Sequence, residues 1–139
     1  MTPVHILVVD DNPADAELIR DGLSTTNHPV EVTVVHDGAS ALSFLNEEAK
    51  APKRQADLVV LDLNLPGKHG REVLREIRAS ADLCKIPVVI LSSSSADKDI
   101  EGTYALGANC YVTKPVGFRE FMDVIHRIED FWLEVARLP

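Results

Sequence analysis

Leu58-Val59-Val60-Leu61-Asp62-Leu63-Asn64-Leu65-Pro66-Gly67 changes character at one residue, Asp62. The four side chains before it are large and apolar with no alternation. That is the pattern of a strand covered on both faces, where a half-exposed strand would alternate with polar residues. Such a strand needs a layer on either side, and the flanking sequence has to supply both.

Other apolar runs of strand length are Val4–Val9, Val30–Val35, Ile86–Leu91 and the shorter Cys110–Val112. His5–Val9 and Pro87–Leu91 are nearly continuous and rich in β-branched residues, like Leu58–Leu61. Val30–Val35 alternates, with Glu31 and Thr33 between valines, and therefore suits an edge. Helical patterns fill the gaps. Asp11-Asn12-Pro13 is a cap signal with proline near the first turn, followed by Ala16, Leu18, Ile19 and Leu23 on one broad face. Asp37-Gly38 opens a second helix bearing Ala41, Leu42 and Leu45, and Val73, Leu74 and Ile77 mark a third. Ala96–Leu106 is the least marked, with Ile100, Tyr104 and Leu106 for its buried side and Gly107 as the stop. The last helix is expected from about Phe118 to Ala136.

Strict strand–helix alternation implies right-handed crossovers and a parallel sheet with helices on both faces. The expected fold is an α/β, flavodoxin-like, doubly wound (βα)5 arrangement with a five-stranded parallel sheet in the order 2-1-3-4-5. A ligand crevice then lies at the carboxyl ends of strands 1 and 3.

At 139 residues the chain makes one domain, able to bury roughly two-thirds of its unfolded surface. Its 45% hydrophobic and 26% charged residues are those of a globular protein. The absence of an apolar N-terminal run with a basic flank, and of any long uncharged stretch, argues against a secreted or membrane-spanning protein and for the cytoplasm. Cys84 and Cys110 stand far apart without metal-ligand neighbours, and are expected to be reduced and largely buried. The net charge of −8, from 22 acidic and 14 basic residues, argues against nucleic-acid binding. The sole basic run is the short Lys53-Arg54. Ser92-Ser93-Ser94-Ser95 is short enough to be a loop.

The residues at the crevice are Asp10-Asp11 after strand 1 and Asp62 after strand 3. Three carboxylates meeting there repel one another unless a cation intervenes. Hard divalent ions choose oxygen ligands, and Mg²⁺ takes one or two carboxylates with water and phosphate oxygens. Capping the first helix would need only one of the acidic pair. Ser92 ends strand 4 and Lys114-Pro115 follows strand 5, on the same rim. A hydroxyl and an ammonium facing an acidic cluster suit an incoming phosphoryl group, whose oxygens need donors and positive charge. A carboxylate at the reference pKa of about 3.9 is ionised at neutral pH. It can therefore attack phosphorus without a general base and form an aspartyl phosphate.

The ordered set Val8-Val9-Asp10-Asp11, Leu61-Asp62-Leu63-Asn64-Leu65-Pro66-Gly67 with Gly70, Ile90-Leu91-Ser92-Ser93 and Lys114-Pro115 resembles the receiver domain of two-component response regulators. The resemblance covers essentially the whole chain. It implies that Asp62 is the phosphoacceptor and that Mg²⁺ is held by Asp11 directly, by Asp10 mainly through water, by Asp62, and by the carbonyl of Asn64. It also implies that Ser92 hydrogen-bonds the phosphoryl group, that Lys114 pairs with it across a cis Lys114–Pro115 bond, and that Tyr111 is the switch aromatic. Ser92 stands where threonine is more frequent. Ser93 and Asn64 occupy positions that influence how fast the phosphoryl group is lost.

Nothing follows the last helix in the sequence, so residues 1–139 read as one receiver domain without an output domain, a signalling protein rather than an enzyme. In the last helix Phe118, Phe121, Val124, Ile125, Ile128, Phe131, Trp132 and Val135 exceed one buried stripe. The excess implies a second apolar contact, a homodimer, unless Phe131 and Trp132 fold back onto the domain. Ile128-Glu129-Asp130-Phe131-Trp132-Leu133-Glu134, with Asp62–Pro66 and Asn109-Cys110-Tyr111, resembles the stand-alone regulators paired with bacterial phytochromes. That implies a sensor histidine kinase as phosphodonor and dimerisation through the fourth helix, fifth strand and fifth helix. Two rivals have weaker support. A phosphatase of the haloacid-dehalogenase type needs Asp-x-Asp on its first strand and room for a cap. A phosphorylation-independent adaptor would have lost one of the acidic pair, the acceptor or the lysine.

Overall fold

The computed structural model describes residues 3–24, 28–50 and 55–139, and the pair Lys53-Arg54 lies outside them. Strands and helices alternate as β1 (Val4–Val9), α1 (Pro13–Leu23), β2 (Val30–Val35), α2 (Gly38–Lys50), β3 (Leu58–Leu61) and α3 (Gly70–Ala79), then β4 (Val88–Ser92), α4 (Asp97–Ala105), β5 (Cys110–Thr113) and α5 (Phe118–Glu129). The sheet order is β2-β1-β3-β4-β5, and each neighbouring pair is parallel. The expected doubly wound topology is the observed one.

Alternate side chains of the central strands serve two cores, because successive residues of a strand point to opposite faces. Leu7, Val9, Val59, Leu61, Val88 and Ile90 face Ala41 and Leu45 of α2 and Val73, Leu74 and Ile77 of α3. Ile6, Val8, Leu58, Val60, Val89 and Leu91 face Ile19 and Leu23 of α1 and Phe121, Ile125 and Ile128 of α5. All four residues of β3 are buried, as the unalternating run requires. In the edge strands β2 and β5 the residues are half-buried or exposed. Gly107, at φ 102°, takes the chain out of α4 in a conformation that other residues adopt only with strain.

The last helix departs from its expected span. α5 ends at Glu129, and Asp130–Val135 continues in wider π-helical turns, closed by the Ala136 N–H donating to the Phe131 carbonyl at 2.7 Å. The apolar spacing explains the change. Leu133 stands five residues after Ile128, one too many for the same face of an α-helix but in phase with an i→i+5 turn. The wide turn returns Leu133 to the core, 9% exposed, and leaves Phe131 51% exposed. Trp132 packs partly against the same core. The fold-back alternative therefore holds for Trp132, while Phe131 and Val135 stay exposed. Cys84 and Cys110 are free, and half-buried where fuller burial was expected. Among the described residues no helix is long and apolar enough to cross a membrane.

Candidate functional site

The carboxyl ends of β1 and β3 meet because the sheet continues one residue past each of them. The Asp10 N–H donates to the Val35 carbonyl at 3.1 Å, and the Asp62 N–H donates to the Val9 carbonyl at 2.9 Å. This places both aspartates side by side and buries them, Asp10 to 1% and Asp62 to 5% exposure. Asp11 follows on the exposed side. Its neighbour Asn12 caps α1, with Oδ1 accepting from the Asp15 N–H at 3.1 Å, while the Asn12 N–H donates to Asp10 Oδ1 at 2.9 Å. The tight loop after Asp62 depends on Gly70, where a Cβ would lie 2.3 Å from the Asp62 carbonyl oxygen. Asn64 is exposed on that loop.

Lys114 arrives from β5, its N–H donating to the Ser92 carbonyl at 2.7 Å. Its side chain is 8% exposed and its Nζ lies 2.7 Å from Asp10 Oδ2, 3.0 Å from Asp62 Oδ2 and 3.0 Å from Asp15 Oδ2. Burial by itself would lower the lysine's pKa, but hydrogen bonds to Asp10 and Asp62 outweigh it and hold the ammonium well above the ordinary lysine range. Burial also raises the pKa of Asp10, against the lowering influence of Lys114 and of the Asn12 N–H. The Lys114–Pro115 bond is trans, contrary to the expectation of a cis bond; no cis peptide bond occurs among the described residues. Trans is the ordinary isomer for a residue before proline, and from it Nζ still reaches all three carboxylates.

Ser92 is fully buried at the end of β4, its Oγ accepting from the Ser94 N–H at 3.3 Å. The loop beyond ties this hydroxyl to the opposite surface. The Tyr111 hydroxyl donates to the Ser94 carbonyl at 2.7 Å, and Ser94 Oγ donates to Asp99 of α4 at 2.5 Å. Asp99 in turn pairs with Arg71 of α3 at 3.3 Å. The Tyr111 ring packs partly buried against the core on the α2–α3 side, and its backbone N–H donates to the Tyr104 hydroxyl at 3.0 Å.

The crevice therefore unites Asp10, Asp11, Asp62 and Lys114, with Ser92 at the end of the adjoining strand and Asn64 on its loop. Sequence reasoning missed Asp15, which the first turn of α1 carries to Lys114, and the Ser94–Asp99–Arg71 chain. Asp15 reads in the sequence only as an acid beside a helix cap, because contact with a lysine 99 positions away leaves no local pattern. The set suits a hard divalent cation. One ligand oxygen each from Asp10, Asp11 and Asp62 can be chosen within 4.8 Å of the others. Asp10 Oδ2 is buried, and the Lys114 ammonium faces it at 2.7 Å. An oxygen so placed costs least when a cation faces it.

The pattern of the response regulator receiver domain matches residues 6–126. The chain belongs to the response regulator receiver family. The receiver is 40% identical to the response regulator Rcp1 of Synechocystis sp. (strain ATCC 27184 / PCC 6803 / Kazusa), over 99% of this chain and 94% of the relative. It also resembles the solved structure of the phosphorylated cyanobacterial phytochrome response regulator RcpA, with TM-score 0.93, 43% identity and 99% of each chain covered. The Mn²⁺-bound form of Rcp1 gives TM-score 0.92 at 40% identity, again over 99% of each chain. These likenesses place the receiver beside regulators associated with phytochromes. The first-strand Asp-x-Asp of the phosphatase rival is absent, since Asp10-Asp11 follows β1 and Asp62 follows β3.

Proposed function

We propose that this receiver, as a single-domain regulator, accepts a phosphoryl group on Asp62 from a sensor histidine kinase of the phytochrome type. The observation that carries the reading is the buried Asp62 carboxylate, held 3.0 Å from the Lys114 ammonium beside two further carboxylates. A buried carboxylate that kept only a structural ion pair would have no use for the excess of negative charge around it.

Asp10, Asp11, Asp62 and the Asn64 carbonyl would hold Mg²⁺, which when bound supplies positive charge to the phosphoryl oxygens. The remaining steps fall to the chain's own groups. The Asp62 carboxylate forms an O–P bond as the N–P bond to the donor's histidine breaks, and the ring, already protonated at its other nitrogen, departs as neutral imidazole. Asp62 Oδ1 already accepts from the Leu63 N–H at 2.7 Å, which leaves Oδ2, beside Lys114, as the oxygen facing the crevice. Lys114 then has a phosphoryl oxygen to pair with, and Ser92 donates its hydroxyl to another. Movement of Ser92 would reach Tyr111 through Ser94, whose N–H meets Ser92 and whose carbonyl meets Tyr111.

The signal is proposed to leave through the α4–β5–α5 face by homodimerisation. In favour of a second copy there is an open apolar groove of about 530 Å³ between β5 and the last helical turns, lined by Val112, Val124, Ile128, Phe131 and Trp132 among others. The phytochrome assignment rests on the likeness to RcpA. Incubation with Mg²⁺ and acetyl phosphate should add one phosphoryl group, seen by intact mass, and Asp62→Asn should reduce it to background. Equal labelling of Asp62→Asn would sink the phosphoacceptor assignment.

A further inference from the structure

Of the three carboxylates around Lys114 Nζ, two belong to the group able to hold a cation and one does not. Asp10 and Asp62 are members of that group, and Asp15, at 3.0 Å from Nζ, is outside it. A divalent ion entering the crevice competes with the ammonium for Asp10 and Asp62. Like charges brought that close in a protein site repel strongly, because the effective dielectric there is far below that of water. The ammonium has to give ground. Lys114 is anchored through its backbone to Ser92 and its side chain is 8% exposed, so it cannot simply swing into water. Asp15 offers a place nearby. It sits in the first turn of α1, where a carboxylate is favoured, its N–H is fixed by Asn12 Oδ1, and its side chain is 27% exposed.

We propose that Asp15 is a positioning residue: it holds the Lys114 ammonium at the edge of the crevice while a divalent cation occupies Asp10, Asp11 and Asp62. The lysine thereby stays within reach of a phosphoryl group on Asp62. The link to phosphorylation rests on the phosphoacceptor reading. The link between Asp15, Lys114 and the cation can be tested without it. Asp15 touches no reacting atom and acts through Lys114. Without it, the ammonium has only the two cation-binding carboxylates left and clings to them, so cation binding weakens.

A double-mutant cycle read by calorimetric Mg²⁺ titration of the unphosphorylated protein decides the matter. Asp15→Asn should weaken Mg²⁺ binding by about fivefold or more, and the effect should shrink to less than about twofold in a Lys114→Ala background. A direct action of the Asp15 charge on the ion predicts the reverse, an effect that persists or grows once the lysine is gone, and that result overturns the proposal. So does a wild-type protein without measurable Mg²⁺ affinity. Should Lys114→Ala not fold, ¹⁵N NMR of the Mg²⁺-saturated protein serves instead. The Lys114 ammonium signal should be protected from solvent exchange in wild type and lost in Asp15→Asn, and equal protection in both removes the proposal. Failure of acetyl phosphate to label Asp62 would remove the phosphoacceptor reading alone, since neither measurement requires phosphorylation.

Discussion

Lys114 is held charged by its neighbours, and that has a consequence for stability. Folding raises its pKa above 10.5, since the hydrogen bonds to Asp10 and Asp62 outweigh the opposing effect of burial. In the unfolded chain those bonds are gone. At a pH between the two values the folded protein keeps a proton that the unfolded protein has lost. The stabilisation is therefore fully present below 10.5 and is lost as the pH rises through the folded value. The urea midpoint of wild type should fall more steeply above pH 10.5 than that of Lys114→Met, and parallel curves would contradict this. Asp10 has the same sign at the acid end: burial raises its pKa above 3.8, so its contribution is full below that value and declines as pH rises through the raised one. Lys114, Asp10 and Asp62 were legible as site residues because each directly follows a strand, and Asp11 because it adjoins Asp10. Asp15 and Ser94 were not, because their roles depend on which helix or loop packs beside them.

Among the elements, α3 is tied to the rim opposite the crevice by one side chain. Arg78 Nε donates to the Gly107 carbonyl at 2.9 Å, Nη1 to the carbonyls of Cys84 and Ile86 at 3.1 and 2.7 Å, and Nη2 to Asn109 Oδ1 at 2.8 Å. Asn109 Oδ1 also accepts from the Val88 N–H at the start of β4. A planar fork meets these acceptors at once, and an ammonium on a flexible stem does not. Arg78→Lys should therefore cost about 1–3 kcal/mol in urea denaturation, nearly as much as Arg78→Ala. Full stability in the lysine variant would show that charge alone suffices. None of this was visible in the sequence, where Arg78 is one charged residue on the polar side of a helix. The strands were visible, because burial on both faces leaves an unbroken apolar run. The π-helical end of the last helix was not, since one extra residue between Ile128 and Leu133 looks like a wider apolar face to any reading with a 3.6-residue period.

For the whole molecule, the two faces of the sheet differ in how completely they are covered. The second core ends in a groove beside β5 that Phe131 helps to line, and Phe131 and Val135 are 51% and 68% exposed. If a second copy covers them, a charge at Phe131 meets an apolar surface. Phe131→Glu should weaken the dimer at least about tenfold, the effect of losing a central aromatic contact, as read by sedimentation over a concentration series with and without acetyl phosphate. Wild type that stays monomeric under both conditions removes the dimer proposal.

The bond from the Tyr111 N–H to the Tyr104 hydroxyl also constrains the way any such partner can attach. β5 is the last strand of the sheet, and an edge strand ordinarily offers its outward N–H groups as rungs for another chain to pair with. Here one rung is already taken by a side chain of the same molecule, at 3.0 Å. Two copies meeting at this edge would join through interlocking side chains, each sheet keeping its own five strands, and would separate again without breaking a continuous ladder of backbone bonds. A contact built that way is suited to repeated making and release.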